Sequence, residues 1–373
     1  MRYSVRMANY VKPIKKTGFR TPARARASAE IERAASPSPR TVAAVDRDPI
    51  AIDRCPIPTA TGIAHQLGWL AREAAQDGTP LTVGGGQTGA PPRAPLLRAA
   101  ARPDRLFEGD STGALWERSH GCATRLIGLT WVETFQAVVA LPDAGIDGPE
   151  QLWGRRLALP FDRTAQIDVR RAAASRGLHA ALALAGIFPG EVAHVEIDVS
   201  AAGGDPYAAE LAALASGDVD AIFLAGAAGA AAAARIGART VANLGRHLDP
   251  AVRASGTTPA AIVVDADLLE RDPVLVVRLL AALLRAGVWA QLNAREATHL
   301  LARETGTGVR DVKAAYGANW PDQLHVDLSR HKLDALRAQH DFLVTHGFLP
   351  RALDLSAWVD PQPLAIAREL LAG

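Results

Sequence analysis

A chain of 373 residues, 49% of them hydrophobic, is long enough to bury the core of one large domain or two ordinary lobes without covalent staples, and its two cysteines exclude a disulfide framework. The formal net charge is only +2 and is unevenly placed. Residues 1–44 hold ten Lys or Arg against Glu30 and Glu32, which leaves 31 basic and 37 acidic residues, a net of −6, for the remainder, so the electrostatic argument for nucleic-acid binding is removed.

The basic N-terminal stretch contains no apolar run of about 7 to 15 residues such as a secretory signal requires, and it is expected to be a disordered basic tail, residues 1–44. No later window of about 18 uninterrupted apolar residues occurs, so no membrane span is expected. Few cysteines suit a reducing compartment, and the expected location is the cytoplasm, or the periplasm if the N-terminus is misassigned.

From Asp48 onward short apolar runs alternate with helical patterns, the signature of α/β layering. After a first strand DPIAID (48–53), strands are expected at 81–83, 124–130, 137–141, 156–159, 194–199, 221–224, 240–243 and 260–264. Helices are expected at 62–75, 112–119, 165–185, 206–215 and 225–236, followed by a helical C-terminal region at 267–304, 309–316 and 328–346. The turn, short helix and strand in GIDGPEQLWGRRLALP read as a departure from one sheet to begin another, with a return near 256–260. Two crossovers then define lobe 1 as 45–145 plus 257–373 and lobe 2 as 146–256, with a ligand cleft between them. The Ala-rich LAGAAGAAAAARIGA reads as a closely packed buried helix.

Cys55 follows the first strand and precedes a helix, so it belongs to a loop at the carboxyl edge of the sheet, where ligands of layered α/β folds bind. Near a helix N-terminus a thiolate is favoured by the backbone dipole, while Pro56 and Pro58 stiffen the loop. Against this stands the ordinary role of a free cysteine as a small buried hydrophobe, and His65, the nearest imidazole, lies ten residues on inside the expected helix. Cys122 reads as a core residue, and no Cys and His spacing builds a metal site. TVGGGQTGAP lacks the lysine of a phosphate loop and the order of a dinucleotide fingerprint, so it reads as a turn and no cofactor is expected. In LPFDRTAQIDVRRAA a helix opening at Thr164 or Ala165, with Arg163, makes the matching candidate anion site in the second lobe. Arg170 reads as a surface charge, and Asp218 and Asp220 as turn residues.

CPIPTA, TRLIGLTW, ASGDVDAIF, LLRAGVWAQ and the spacing of the C-terminal helices resemble the 2'-hydroxybiphenyl-2-sulfinate desulfinase family, a branch of the type II periplasmic binding protein fold used by nitrate, taurine and sulfonate transporters. The resemblance covers roughly the last 320 residues. It implies a two-lobed α/β fold and, for the enzymes, cofactor-free cleavage of an aryl carbon–sulfur bond with release of sulfite, using a cysteine that Cys55 matches. The family site also holds a histidine and an arginine close to a Gly-Gly pair. Counting back from Trp116 puts the arginine position on Phe107, the pair on Gly109 and Asp110, and the histidine near Leu97; Arg105 is the available substitute for the arginine, and no residue of the segment substitutes for the histidine. Positioned proton transfer contributes about 10²–10⁴-fold in rate, roughly 3 to 5 kcal/mol of barrier.

The expectation is therefore a binding protein for a small organic anion of the sulfonate or sulfinate type, with ABC transporter components as possible partners. Thr59, Gly109, Asp110, Trp131, Arg163 and Thr164 are its candidate ligand contacts. The alternative is a cofactor-free desulfinase with Cys55 as nucleophile or proton donor and Arg105 holding substrate.

Overall fold

A computed structural model describes residues 47–85, 104–201 and 204–372. The expected tail 1–44, most of TVGGGQTGAP and the position of Leu97 lie outside the described residues. The chain begins with β1 (Ile50–Arg54), α1 (Ala60–Gln66), α2 (Trp69–Ala75), β2 (Leu81–Val83), β3 (Asp104–Gly109), α3 (Ser111–Ser119) and β4 (Thr124–Thr130). The single helix expected at 62–75 is two, because Gly68 takes a left-handed conformation (φ 73°) that a side chain resists, and a second helix starts after it. The sheet order is β2-β1-β3, then a strand that returns late in the chain (Ala260–Asp265), then β4. β1 runs parallel to β2 and β3, whereas the returning strand is antiparallel to both of its neighbours.

β3 was not expected from the sequence. Its residues DRLFEG are all buried although three of six are charged, so tertiary pairing overrides the polar pattern: Asp104 pairs with Arg271 at 2.7 Å, Arg105 with Glu117, and Glu108 is fully satisfied as described below.

The second body comprises β5 (Gln136–Ala140), β6 (Arg156–Phe161), α4 (Val169–Leu184), β7 (Ala193–Asp198), α5 (Ala208–Ser216), β8 (Ile222–Ala225), α6 (Gly226–Arg235), β9 (Arg239–Asn243) and α7 (Pro250–Arg253). β5 lies between β8 and β9, antiparallel to both, and the parallel pair β6-β7 is joined to this group through the Leu157–Ala221 bridge. The first crossover therefore falls in 131–135, upstream of the boundary expected at 145, and the turn in GIDGPEQLWG connects β5 to β6 within the second body. α6, the Ala-rich helix, buries Ala227 and Ala230 in the first body's core and Ala232 in the second's; a Cβ at Gly229 would stand 3.0 Å from the Leu224 backbone, so glycine permits this close seat.

The return strand is β10 (Ala260–Asp265), after which the chain is helical: α8 (Ala266–Arg271), α9 (Pro273–Leu292), α10 (Ala294–Thr305), α11 (Val309–Tyr316), α12 (Arg330–Thr345), α13 (Leu355–Trp358) and α14 (Gln362–Ala372). Asp272, Pro273 and Asn293 break the expected 267–304 helix into three. α9 is long and apolar enough to cross a membrane, but 67% of its apolar window is buried here, between α1, α2 and α14, and it serves as the spine of the first body's core. α12 also belongs to the first body: Leu336 and Leu343 join Leu115, Leu126, Leu129 and Val263 in one buried cluster.

Candidate functional site

β1, β3 and β4 all point the same way, so their carboxyl ends form one edge of the first sheet. Arg54 pairs with Glu108, and Gly109 and Leu129 flank Ala261, which places Cys55, Gly109–Asp110 and Thr130–Trp131 side by side on that edge. Cys55 donates its amide to the Glu108 carbonyl at 3.2 Å, and the Asp110 amide donates to Cys55 Sγ at 3.4 Å. A Cβ on Gly109 would lie 2.3 Å from that sulfur, so only glycine leaves the thiol its seat. Cys55 is 8% exposed and joins a buried cluster that includes Phe107 and Trp116 of the first body and Ile167 and Ala172 of the second. The sulfur thus lies at the seam between the bodies. Burial, with the nearby Asp110, Glu108 and Asp53 carboxylates adding to it, raises its pKa to about 12, and the Asp110 amide opposes the shift only in part. This environment favours the protonated thiol, a weak hydrogen-bond donor, over the thiolate.

The residue that organises this edge is Glu108, which sequence reasoning missed. Its side chain is 0% exposed and accepts hydrogen bonds from the amides of Ala60 (3.2 Å) and Thr61 (2.7 Å) and from the Thr130 hydroxyl (3.0 Å). Burial raises its pKa while these donors act to lower it. Thr59 caps the same helix, accepting from the Gly62 amide at 3.0 Å. Both first-turn amides and the cap are therefore satisfied within the protein. A charged residue between Phe107 and Gly109 in a strand with apolar neighbours was the available signal.

Asp110 is the N-cap of α3: its carboxylate accepts from the Thr112 amide at 2.7 Å, and a Cβ on the facing Gly256 would meet it at 2.2 Å. Burial pushes the Asp110 carboxyl upward, against the pull of the Thr112 donors. Trp131 is at the same edge, with the Arg253 guanidinium 5.9 Å over its ring and the His331 ring 6.2 Å away, and it is 7% exposed.

Arg105 is not at the edge. It pairs in register with Ala51, four residues before Cys55, or about 13 Å down the strand at ~3.3 Å per residue. Its guanidinium binds Glu117, with Asp53 at 3.8 Å, in the interior, so Arg105 does not replace the arginine that the resemblance implies. Arg163 and Thr164 are also elsewhere in role. The helix expected to open at Thr164 begins at Val169, capped by Asp168 through the Arg171 amide at 2.8 Å. Thr164 bonds Asp162 by amide (2.8 Å) and hydroxyl (2.6 Å), and Arg163 is an exposed partner of Asp198; carboxylates of the protein hold these donors. Arg170 pairs with Glu210, Asp220 with Arg156, and Asp218 accepts from Ser216, while Cys122 and His65 are half-buried. Two surface hollows, one along Pro142 and 237–240 and one between Leu284 and Arg368, do not adjoin Cys55. Among the described residues no cluster of His, Cys, Asp and Glu has the arrangement of a metal site.

This architecture, two α/β bodies joined by two crossovers with a helical C-terminal region, is the type II periplasmic binding protein fold. It is shared with the aliphatic sulphonate-binding protein SsuA from Escherichia coli, which matches with a TM-score of 0.64 and 14% identity over 84% of this chain and 92% of that one. No protein-family model matches the sequence. Over 153 residues the chain is homologous, at 31% identity, to 2'-hydroxybiphenyl-2-sulfinate desulfinase from Rhodococcus erythropolis; the match covers 41% of this chain and 40% of the relative's length. The solved structure of the desulfurization enzyme DszB superposes with a TM-score of 0.69 and 25% identity, covering 87% of this chain and 99% of the other.

Proposed function

We propose that this protein binds a small organic acid of the sulfonate or sulfinate class at the seam where Cys55 meets the second body. The ligand class is supported by the 31% identity to the desulfinase and by the fold shared with sulfonate receptors. The place is supported by the convergence of Cys55, Gly109, Asp110 and Trp131 on one sheet edge. Binding rather than catalysis is favoured by one observation: the Cys55 sulfur is buried against the Asp110 amide at 3.4 Å, while Arg105, the candidate guanidinium, is held in the interior by Glu117. Because Glu108 holds the amides of Ala60 and Thr61, the ligand's charged end does not sit on them; Cys55 offers its S–H, and Gly109 and Trp131 form the wall. In this reading the protein partners an ABC-type permease if it is exported; we place it in the cytoplasm, the compartment that two unpaired thiols favour, and fractionation decides the point.

The second reading, a desulfinase, rests on the same homology and on the 99% coverage of DszB. An aryl sulfinate assay separates the two. Ligand binding without sulfite release supports the receptor; sulfite release that disappears in Cys55→Ser establishes the enzyme instead.

A further inference from the structure

α4 packs on the second sheet with Ala174, Leu178, Ala181 and Leu182, and turns a different stripe, Ala172, Arg176 and His179, towards the first body. The spacing of that stripe is helical, and it meets an equally helical stripe of α12 and its C-cap: Ala338, Phe342 and His346. Arg176 crosses the seam without a carboxylate partner among the described residues. It donates to the carbonyls of Ala254 (2.6 Å), Ala338 (3.0 Å) and Ala251 (3.2 Å) and lies 5.2 Å over the Phe342 ring. Three imidazoles gather at the rim of this contact. The His179 ring is 4.4 Å from His346 and 6.3 Å from His194 of β7, and Phe342 lies 4.2 Å from His346.

We propose that α4 and α12 form the closing contact between the two bodies, and that protons taken up at the rim of that contact, at His194 and His346, open it. The charged groups facing the cluster set the sign. From α4 come Arg176 and Arg171, the latter paired with Glu196 of β7 at 2.7 Å; from α12 the acid Asp341 is turned to His340 at 2.8 Å. No carboxylate is paired with the three imidazoles among the described residues, so a proton added at His346 meets the Arg176 guanidinium and one added at His194 meets that of Arg171, both carried by α4. Burial, His179 and nearby arginines hold His194 and His346 below the ordinary imidazole value, in keeping with a contact that is closed when they are neutral. A group depressed on closing favours the closed form above its open-state value, near pH 6.5, and ceases to do so as pH falls through its closed-state value.

The test needs no ligand and does not depend on the binding reading. Small-angle X-ray scattering of the full chain is recorded from pH 7.5 to 5.0, with circular dichroism on the same samples. The wild type is expected to increase its radius of gyration as pH falls while its helical signal is unchanged. The variant His194→Gln with His346→Gln is expected to keep its neutral-pH radius throughout, and Arg176→Ala to show the expanded radius already at pH 7.5. If the double variant does not fold, His346→Gln alone, at an exposed helix end, is expected to expand less than the wild type. A wild-type radius that does not change, an expansion that accompanies loss of helix, or variants that expand as the wild type does would overturn the proposal.

Discussion

At the scale of single residues, the chemistry of the candidate site turns on two buried acids. With a pKa of about 12, Cys55 is ionised to only about one part in ten thousand at pH 8. Iodoacetamide at pH 8 is therefore expected to label half-buried Cys122 in the native protein and to reach Cys55 only after denaturation, as read by peptide mass spectrometry; Cys55 labelled first would mean an accessible, activated thiol. Glu108 sets up a second expectation. Glu108→Ala strands the donors of Ala60, Thr61 and Thr130 and is expected to cost about 1–3 kcal/mol in urea unfolding. The pH dependence follows from the direction of its shift. A carboxyl raised by burial stabilises the fold most where it is protonated, below its unfolded value of 4.5, and that contribution is lost as pH rises through the folded value. The wild type's advantage over Glu108→Ala should therefore be largest in acid and decline towards neutrality. A gap that widens with rising pH would show that the three donors outweigh burial.

At the scale of elements, the strands and helices legible in the sequence were those whose apolar pattern matched their environment. β4, β10 and α9 are examples: TRLIGLT, AAIVVD and the long apolar run after Pro273 stand in the expected places. β3 was illegible because Asp104, Arg105 and Glu108 look like surface charges until their partners, supplied by distant segments, are known. The same gap misplaced Arg105. A guanidinium near a candidate cysteine reads as a substrate clamp, whereas it holds α3 to β3 through Glu117. Arg105→Met is accordingly expected to destabilise the protein by about 3–5 kcal/mol, by removing the guanidinium that pairs with buried Glu117, while leaving the affinity of the folded fraction for ligand unchanged. Chemical denaturation and titration calorimetry on the same preparation test both halves. A large loss of affinity at unchanged stability would return Arg105 to the site. Cys55 at a sheet edge was legible because strand-then-loop order alone fixes it, and the capping of α4 by Asp168 was not, since LPFDRTAQID offers several equivalent caps.

At the scale of the whole molecule, both crossovers follow from sheet membership: β5 at the centre of the second sheet, β10 inside the first. The bodies meet along Cys55, Ile167, Ala172 and Leu336, so the candidate site and the closing contact belong to one surface. A ligand held there binds the folded form alone and must stabilise it by mass action, by about 2.7 kcal/mol at one hundred times its dissociation constant. The most direct measurement is unfolding free energy as a function of added alkyl or aryl sulfonate and sulfinate, with carboxylates of the same shape for comparison. The account predicts a rise that follows the logarithm of ligand concentration for the sulfur acids and is weakened by Gly109→Ala. Stability indifferent to every one of these compounds would contradict it.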